Sequence, residues 1–279
     1  MEGTIPAVAN ISTQSQPRAI GRALVRSKFR DQQSVLDDFR LSGSSRVLFP
    51  HGRRDSLEAV LLNTSGGLTG GDDFHTEITA GKGSHLTVTT QAAERAYRSI
   101  DENAAKVRSS ISVAPDARLN WLPQETIIFD GANVDRTLDV GLSKDSCFLM
   151  VEPMIFGRTA MGETVHQASI KDKINIRRDG RIQFADRVNL SGDIQSHLDR
   201  PAIANGNRAM AALLFAANEA ERHVDPLRAL LPPNCGVSLI REGLIFARLL
   251  AEDGHSLRQI LIPALRHLRG AELPRTWML

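Results

Sequence analysis

The sequence predicts a mainly β protein of stacked antiparallel or solenoid-like sheets, with two α-helices in its C-terminal region. Three observations lead there. From Arg46 onward apolar residues recur with a period of two, turn signals interrupt them at short intervals, and no strand-helix-strand rhythm appears. Length and composition agree: 279 residues, 42% hydrophobic and 24% charged, are enough for a sizeable core, and all-β architectures often run this long as one unit.

Taken in order, residues 1–16 are rich in Ser, Thr, Gln and Pro without apolar period, so a disordered tail is expected there and one β-rich domain over 17–279. Leu86 and Val88 alternate with Thr87 and Thr89, and Val107, Ile111 and Val113 alternate with Arg108, Ser110 and Ser112, as in half-buried strands. The pattern returns at Leu138, Val140 and Leu142, and at Ile182, Phe184, Val188 and Leu190, where Asp186 interrupts the inward face and needs a partner. Turns are expected at Gly81-Lys82-Gly83, Pro115-Asp116, Asp130-Gly131 and Asp179-Gly180.

A first helix is expected over residues 207–223, where Met210, Leu213, Leu214 and Ala217 follow helical spacing in an Ala-rich stretch. A second is expected over 256–269, kinked or divided at Pro263, which would cost roughly 3 kcal/mol inside an unbroken helix. Between them, 236–240 and 244–250 read as a strand pair joined at Arg241-Glu242-Gly243.

Charge excludes some classes of function. Thirty-four basic and 32 acidic residues leave a formal charge of +2, so no overall field draws the chain to nucleic acid or an anionic membrane. Cys147 and Cys235 are far apart in apolar surroundings and read as two buried free thiols. The first 21 residues hold no apolar stretch of signal-peptide type, and no run is long enough to span a bilayer, so a cytoplasmic location is expected.

Four clusters carry possible chemistry. The glycine-rich segment 63–73 could line an anion site, but it lacks a Gly-Lys-Ser/Thr ending and a dinucleotide-type spacing, so glycines serving positive φ and close backbone approach are the better reading. In 89–98, Glu94 and Arg95 fall on opposite faces of a strand, at a solvated edge or a partner contact. In 121–131, Trp121 reads as a core anchor, and Glu125 and Asp130 lie too far apart for a catalytic carboxylate pair to be asserted. In 152–163, Arg158 is placed to bridge Glu152, Glu163 or both. Met154 and Met161 read as core fillers before metal ligands, and the eight histidines show no zincin-like pairing, so no tight metal site is visible.

Together, LLNTSGGLTGGD (61–72), TTQAAERAYRS (89–99), NWLPQETIIFDG (120–131) and EPMIFGRTAMGE (152–163), in this order, resemble the hallmark segments of the urease accessory protein family UreD, also called UreH. RRDGRIQFAD (177–186), REGLIFARLL (241–250) and LPRTW (273–277) extend the resemblance from about Arg46 to the C-terminus. It implies a solenoid-like, β-helical fold with two helices and a role without catalysis. It further implies binding to apo-urease, a complex with UreF and, through UreF, the GTPase UreG, and delivery of nickel through an internal channel, the ion being transient and not a bound cofactor. Glu94, Glu125, Asp130, Glu152, Glu163 and Asp186 are then the expected channel carboxylates, with Arg95 and Arg158 beside them as partner contacts. Hard carboxylates hold a hydrated divalent ion weakly enough to release it. The competing expectation is a carboxylate-dependent enzyme of unknown substrate on the same scaffold.

Overall fold

The structure, a computed structural model, describes residues 17–50, 56–158 and 161–278. The tail expected at 1–16 lies outside the described residues. One sheet contains β1 (Ile20–Arg30), β2 (Gln33–Gly43), β5 (Asp73–Ala80), β8 (Ala105–Val113), β11 (Asn133–Leu142), β13 (Ala168–Arg178) and β14 (Arg181–Gly192), in the order β14-β13-β11-β8-β5-β1-β2. The facing sheet contains β3 (Ser45–Leu48), β4 (Leu57–Asn63), β6 (His85–Thr90), β9 (Arg118–Leu122), β12 (Cys147–Phe156), β15 (Ala209–Ala216), β16 (Gly236–Arg241) and β17 (Leu244–Ala251), in the order β16-β17-β15-β12-β9-β6-β4-β3. A short third face is formed by β7 (Glu94–Ala96), β10 (Thr126–Ile128) and the end of β12.

Between the two ends the neighbours are parallel: β1 with β5, β5 with β8, β8 with β11 and β11 with β13 on one sheet, and β4 with β6, β6 with β9 and β9 with β12 on the other. The chain therefore winds as a β-solenoid of about four turns. Among the named strands, antiparallel pairing is confined to the ends, in β1/β2, β13/β14, β3/β4 and the β12-β15-β17-β16 run.

Each circuit turns the same corner. Ser84 N donates to Gly81 O, Ala117 N to Ala114 O, and Ser146 N to Ser143 O, and the third residue of each turn has positive φ: Gly83, Asp116 and Asp145. Glycine meets that demand without a Cβ penalty, and aspartate tolerates it better than most residues. Stacked corners hold the rungs in register, so like residues pile on like. Val25, Ile78, Ile111, Val140 and Ile176 are successive Cα partners across five strands, each no more than 2% exposed. Opposite them, Ala59, Val88, Trp121, Met150 and Leu214 form the matching ladder of the facing sheet.

The facing sheet is covered on its outer side as well. α2 (Val224–Leu230), α3 (Gly254–Arg269) and the C-terminal segment bury Leu257, Leu261, Leu265 and Trp277 against Leu149, Val151, Leu213 and Leu249. This double burial explains one correction. Residues 209–216 form a strand and not the expected helix, followed by a 3₁₀ turn at Ala220–His223. A strand apolar on both faces loses its period-two signal, and alanine's helix preference of a few tenths of a kcal/mol yields to packing between β12 and β17. Of the two expectations for the last helix, the division does not occur: α3 runs through Pro263 as one helix of 16 residues. Pro263 and Gln259, whose carbonyl the ring leaves unbonded, are both exposed, so water can take that acceptor. A further short helix, α1 (Ile194–Asp199), is capped by Asp193. The strand pair expected around Arg241-Glu242-Gly243 is β16 and β17. Both cysteines are free but only half-buried, and burial pushes their thiols up.

The interior ladder predicts a steep difference between two isoleucines. Ile111→Ala should destabilise the chain by about 2–5 kcal/mol, whereas Ile182→Ala, at a 49% exposed position, should stay within about 0.5 kcal/mol of the parent in chemical denaturation.

Candidate functional site

The solenoid interior is not apolar throughout. A cavity of about 290 Å³ lies between the sheets, its rim formed by the exposed Arg46, Gln91, Ala92 and Arg95 and its depth by Trp121, Thr126, Arg136, Glu152 and Asp172. Strand register places these groups. Arg136 occupies the inward face of β11 between Val134 and Leu138, and its Cα partner on β13 is Asp172, between Ile170 and Ile174. Glu152 sits on β12 on the same face as Met150 and Met154, and Glu94 and Thr126 are partners on the third face.

Arg136 is the centre of the buried polar network. Its Nη2 donates to Asp172 Oδ2 at 2.7 Å, Nη1 lies 3.2 Å from Glu152 Oε2, and Nη1 also donates to the Thr126 hydroxyl at 2.8 Å. The indole N–H of Trp121 donates to the other Glu152 oxygen at 2.6 Å. Burial opposes the charge of Arg136, but Asp172 and Glu152 outweigh it and keep the guanidinium protonated. Burial pushes the Glu152 carboxyl up, against the pull of Arg136. Glu94 is also pushed up by burial, although Asn63 donates to it at 3.1 Å.

The other candidate residues lie elsewhere. Glu125 is 3% exposed and gripped by Arg258 of α3, whose Nε and Nη2 reach its two oxygens at 2.6 and 3.0 Å. The same guanidinium contacts Gln124, which in turn donates to Thr276 O at 3.0 Å, and Trp277 donates to Leu122 O at 3.0 Å. The block around Glu125 and the C-terminal LPRTW segment are thus two halves of one clamp. Asp130 belongs to a surface corner. The backbone amides of Gln167 and His166 and then the Arg98 guanidinium hold its carboxyl below the usual range. Glu125 and Asp130 serve separate networks and are not brought together.

Arg158 bridges one glutamate only. Its Nε donates to Glu163 Oε2 at 2.8 Å and its guanidinium lies 4.4 Å from the Phe129 ring centroid, whereas Glu152 faces Arg136 inside the solenoid. Of the two glutamates within its expected reach, Arg158 thus takes Glu163: its side chain points to solvent, whereas Glu152 points inward. Some burial opposes the Glu163 charge, but Arg158 and the amides of Asp130 and Arg158 hold the carboxyl low. Asp186 has the partner its inward position demanded, Arg248 of β17 at 2.5 Å, beside the Phe184–Phe246 ring pair. Arg95 is exposed at the cavity rim while its strand neighbour Glu94 faces inward.

Arg136 and Asp172 were not singled out in the sequence, yet each continues an alternation already visible there: Arg136 stands two residues before Leu138, and Asp172 two before Ile174. The glycine-rich segment plays the structural part expected of it. Gly66 and Gly71 have positive φ, and a Cβ on Gly67 or Gly70 would come within 2.4 Å of the Tyr97 ring or 1.8 Å of Ser99 Oγ. Among the described residues no three His, Cys, Asp or Glu side chains converge to hold a metal ion, and no helix is long and apolar enough to cross a membrane.

Comparison with known proteins extends over nearly the whole of the described chain. The family model described as UreD urease accessory protein matches residues 19–278. The chain is 48% identical over 264 residues to a urease accessory protein UreD of Roseobacter denitrificans, covering 95% of this chain and 96% of the relative. It is 50% identical over 244 residues to the protein of that name from Ruegeria pomeroyi, covering 88% and 95%. With the protein of the same name from Rhizobium leguminosarum it shares 41% over 269 residues, covering 96% and 98%. A match that spans both sheets, the polar cavity and the C-terminal clamp leaves one assignment: the chain belongs to the UreD urease accessory protein family.

Proposed function

We propose that this protein is a non-catalytic scaffold in urease maturation, binding apo-urease and joining UreF and, through it, the GTPase UreG, while nickel in transit passes through the solenoid interior. Family membership supports the urease role. The observation that carries the path is the cavity itself, a space of about 290 Å³ between the sheets with Glu94 and Glu152 on its wall. Oxygen donors of this kind suit weak, reversible contact with a hydrated divalent ion, which a delivery route requires and a storage site does not. Arg95, at the rim, and the Arg158–Glu163–Asp130 corner, at the surface, are the positions offered for partner contact. No GTP-binding role falls to this chain in this reading, since the glycine-rich segment serves strand packing.

The decisive experiment is complementation in cells lacking the native protein, with urease activity and urease nickel content measured together. Ser109→Phe, which fills the cavity, and Glu152→Ala should keep co-purification with apo-urease and lower nickel loading. Loss of co-purification in either variant would instead mark the residue as structural. Glu163→Ala, at the surface corner offered for partner contact, should lower activation by weakening assembly while the chain stays folded in thermal melts; assembly at the parent level would remove the corner from the partner contacts. If the parent chain neither co-purifies with apo-urease nor restores nickel loading, the assignment fails.

Protonation gives a second test. Burial raises the Glu94 and Glu152 carboxyls, so protons compete with a cation for them above the ordinary glutamate range, and nickel uptake by the cavity should rise with pH across that window. The linked stability has a definite sign. A raised folded-state pKa contributes stability below the unfolded pKa that is lost as pH rises through the folded one, so Glu94→Gln should stabilise the chain more at about pH 8 than at about pH 5 in thermal melts.

A further inference from the structure

The deepest part of the cavity already holds a cation, and the protein supplies it. Arg136 stands between Glu152 and Asp172 with contacts at 3.2, 2.7 and 3.3 Å, and the three side chains are only 10–12% exposed. The partners come from three different strands, β11, β12 and β13, and Trp121 and Thr126 add bonds from two more. Along the two strands the flanking inward positions are apolar: Leu138 with Ile174 on one side, Val134 with Ile170 on the other. A purely structural pair at this point would be filled at less desolvation cost by aliphatic side chains, as those flanking positions are. A purely receptive rung would leave the carboxylates open.

We infer that Arg136 is a tethered counter-ion that closes the interior path at rest, and that a divalent cation advances only by displacing its guanidinium from Glu152 and Asp172. This rests on the reading of the cavity as a cation path. Two carboxylates and one guanidinium carry a residual negative charge when all are ionised, so an incoming ion of charge +2 gains more there than the +1 group it replaces. A monovalent ion gains no more charge than the guanidinium and cannot reproduce its planar set of donors, so it stays out. The cavity on the rim side gives the displaced side chain room. The return of Arg136 then competes with the ion and drives release, which makes the rung a one-ion gate and prevents it from becoming a trap. Arg136 is in this sense a residue that determines specificity, acting through the two carboxylates it covers.

The test is nickel binding by the purified full-length chain in equilibrium dialysis at about pH 8, with sodium as the monovalent comparison. Arg136→Gln uncovers both carboxylates, and removing a unit charge about 4 Å away at an effective dielectric of about 20 should tighten nickel binding by at least about tenfold. The same variant should assemble with apo-urease yet deliver less nickel, because the ion is retained. Arg136→Lys keeps the charge but not the fork that spans both carboxylates, and should tighten binding by a few fold. Either variant, folded by thermal melt and binding nickel no more tightly than the parent, overturns the inference; failure of both to fold would do so too, by making Arg136 a structural strut. Ser109→Phe separates this failure from that of the path itself. If it blocks nickel loading while the Arg136 variants bind nickel as the parent does, the path stands and the gate falls.

Discussion

The structure depends on the register of one coil against the next. In a parallel solenoid each inward residue rests on its equivalents above and below, so an interior position is defined by a column and not by a single strand. Val25, Ile78, Ile111, Val140 and Ile176 form such a column, and the repeated corner turns at Gly81, Ala114 and Ser143 keep it straight. A slip of one residue in any coil would turn that coil's whole inward set to solvent. The interior therefore tolerates a polar group only where neighbouring coils supply its partners in the same column.

Among the described residues, Arg136 and Asp172 meet that condition with charged groups. The column that runs through Phe74, Val107, Arg136 and Asp172 changes from apolar to charged between the second and third members, and Glu152 faces it from the other sheet. The cost of burying three charges is offset by bonds that use nearly every donor of the guanidinium. The remaining ion pairs are of a different kind. Arg258–Glu125 fastens α3 and the C-terminal segment to the outer side, Arg248–Asp186 ties the last coil across the sheets, and Arg158–Glu163 closes a surface loop. One chain thus uses the same two chemical groups to fasten separate elements together and to build the network inside the column.

Much of this was legible in the sequence, and the misses have physical causes. Period-two alternation and the turn signals at Gly81-Lys82-Gly83 and Pro115-Asp116 announced the strands and two of the corners; the third, Ser143 to Ser146, went unread because Ser-Lys-Asp-Ser has neither glycine nor proline. The strand at Ala209–Ala216 was hidden by burial on both faces, which erases alternation and leaves a run that also fits a helix. Asp186 is recognisable as inward because apolar residues flank it on both sides in the alternation, whereas Arg136 and Asp172 stand in equally regular alternation and were not singled out. Pairings across coils, such as Arg136 with Asp172 or Glu125 with Arg258, join positions that no local spacing connects.

The placement of antiparallel strands at the ends of the coil has a kinetic consequence. The β1/β2, β13/β14 and β16/β17 hairpins join residues adjacent along the chain and can close quickly, but every parallel rung between them requires a full circuit of polypeptide before its first hydrogen bond. Winding is therefore slow relative to hairpin formation. During that interval the inner coils expose unpaired strand edges and a row of aliphatic side chains, the combination that favours self-association. The yield of native chain is then set by local concentration during synthesis as much as by the stability of the finished coil.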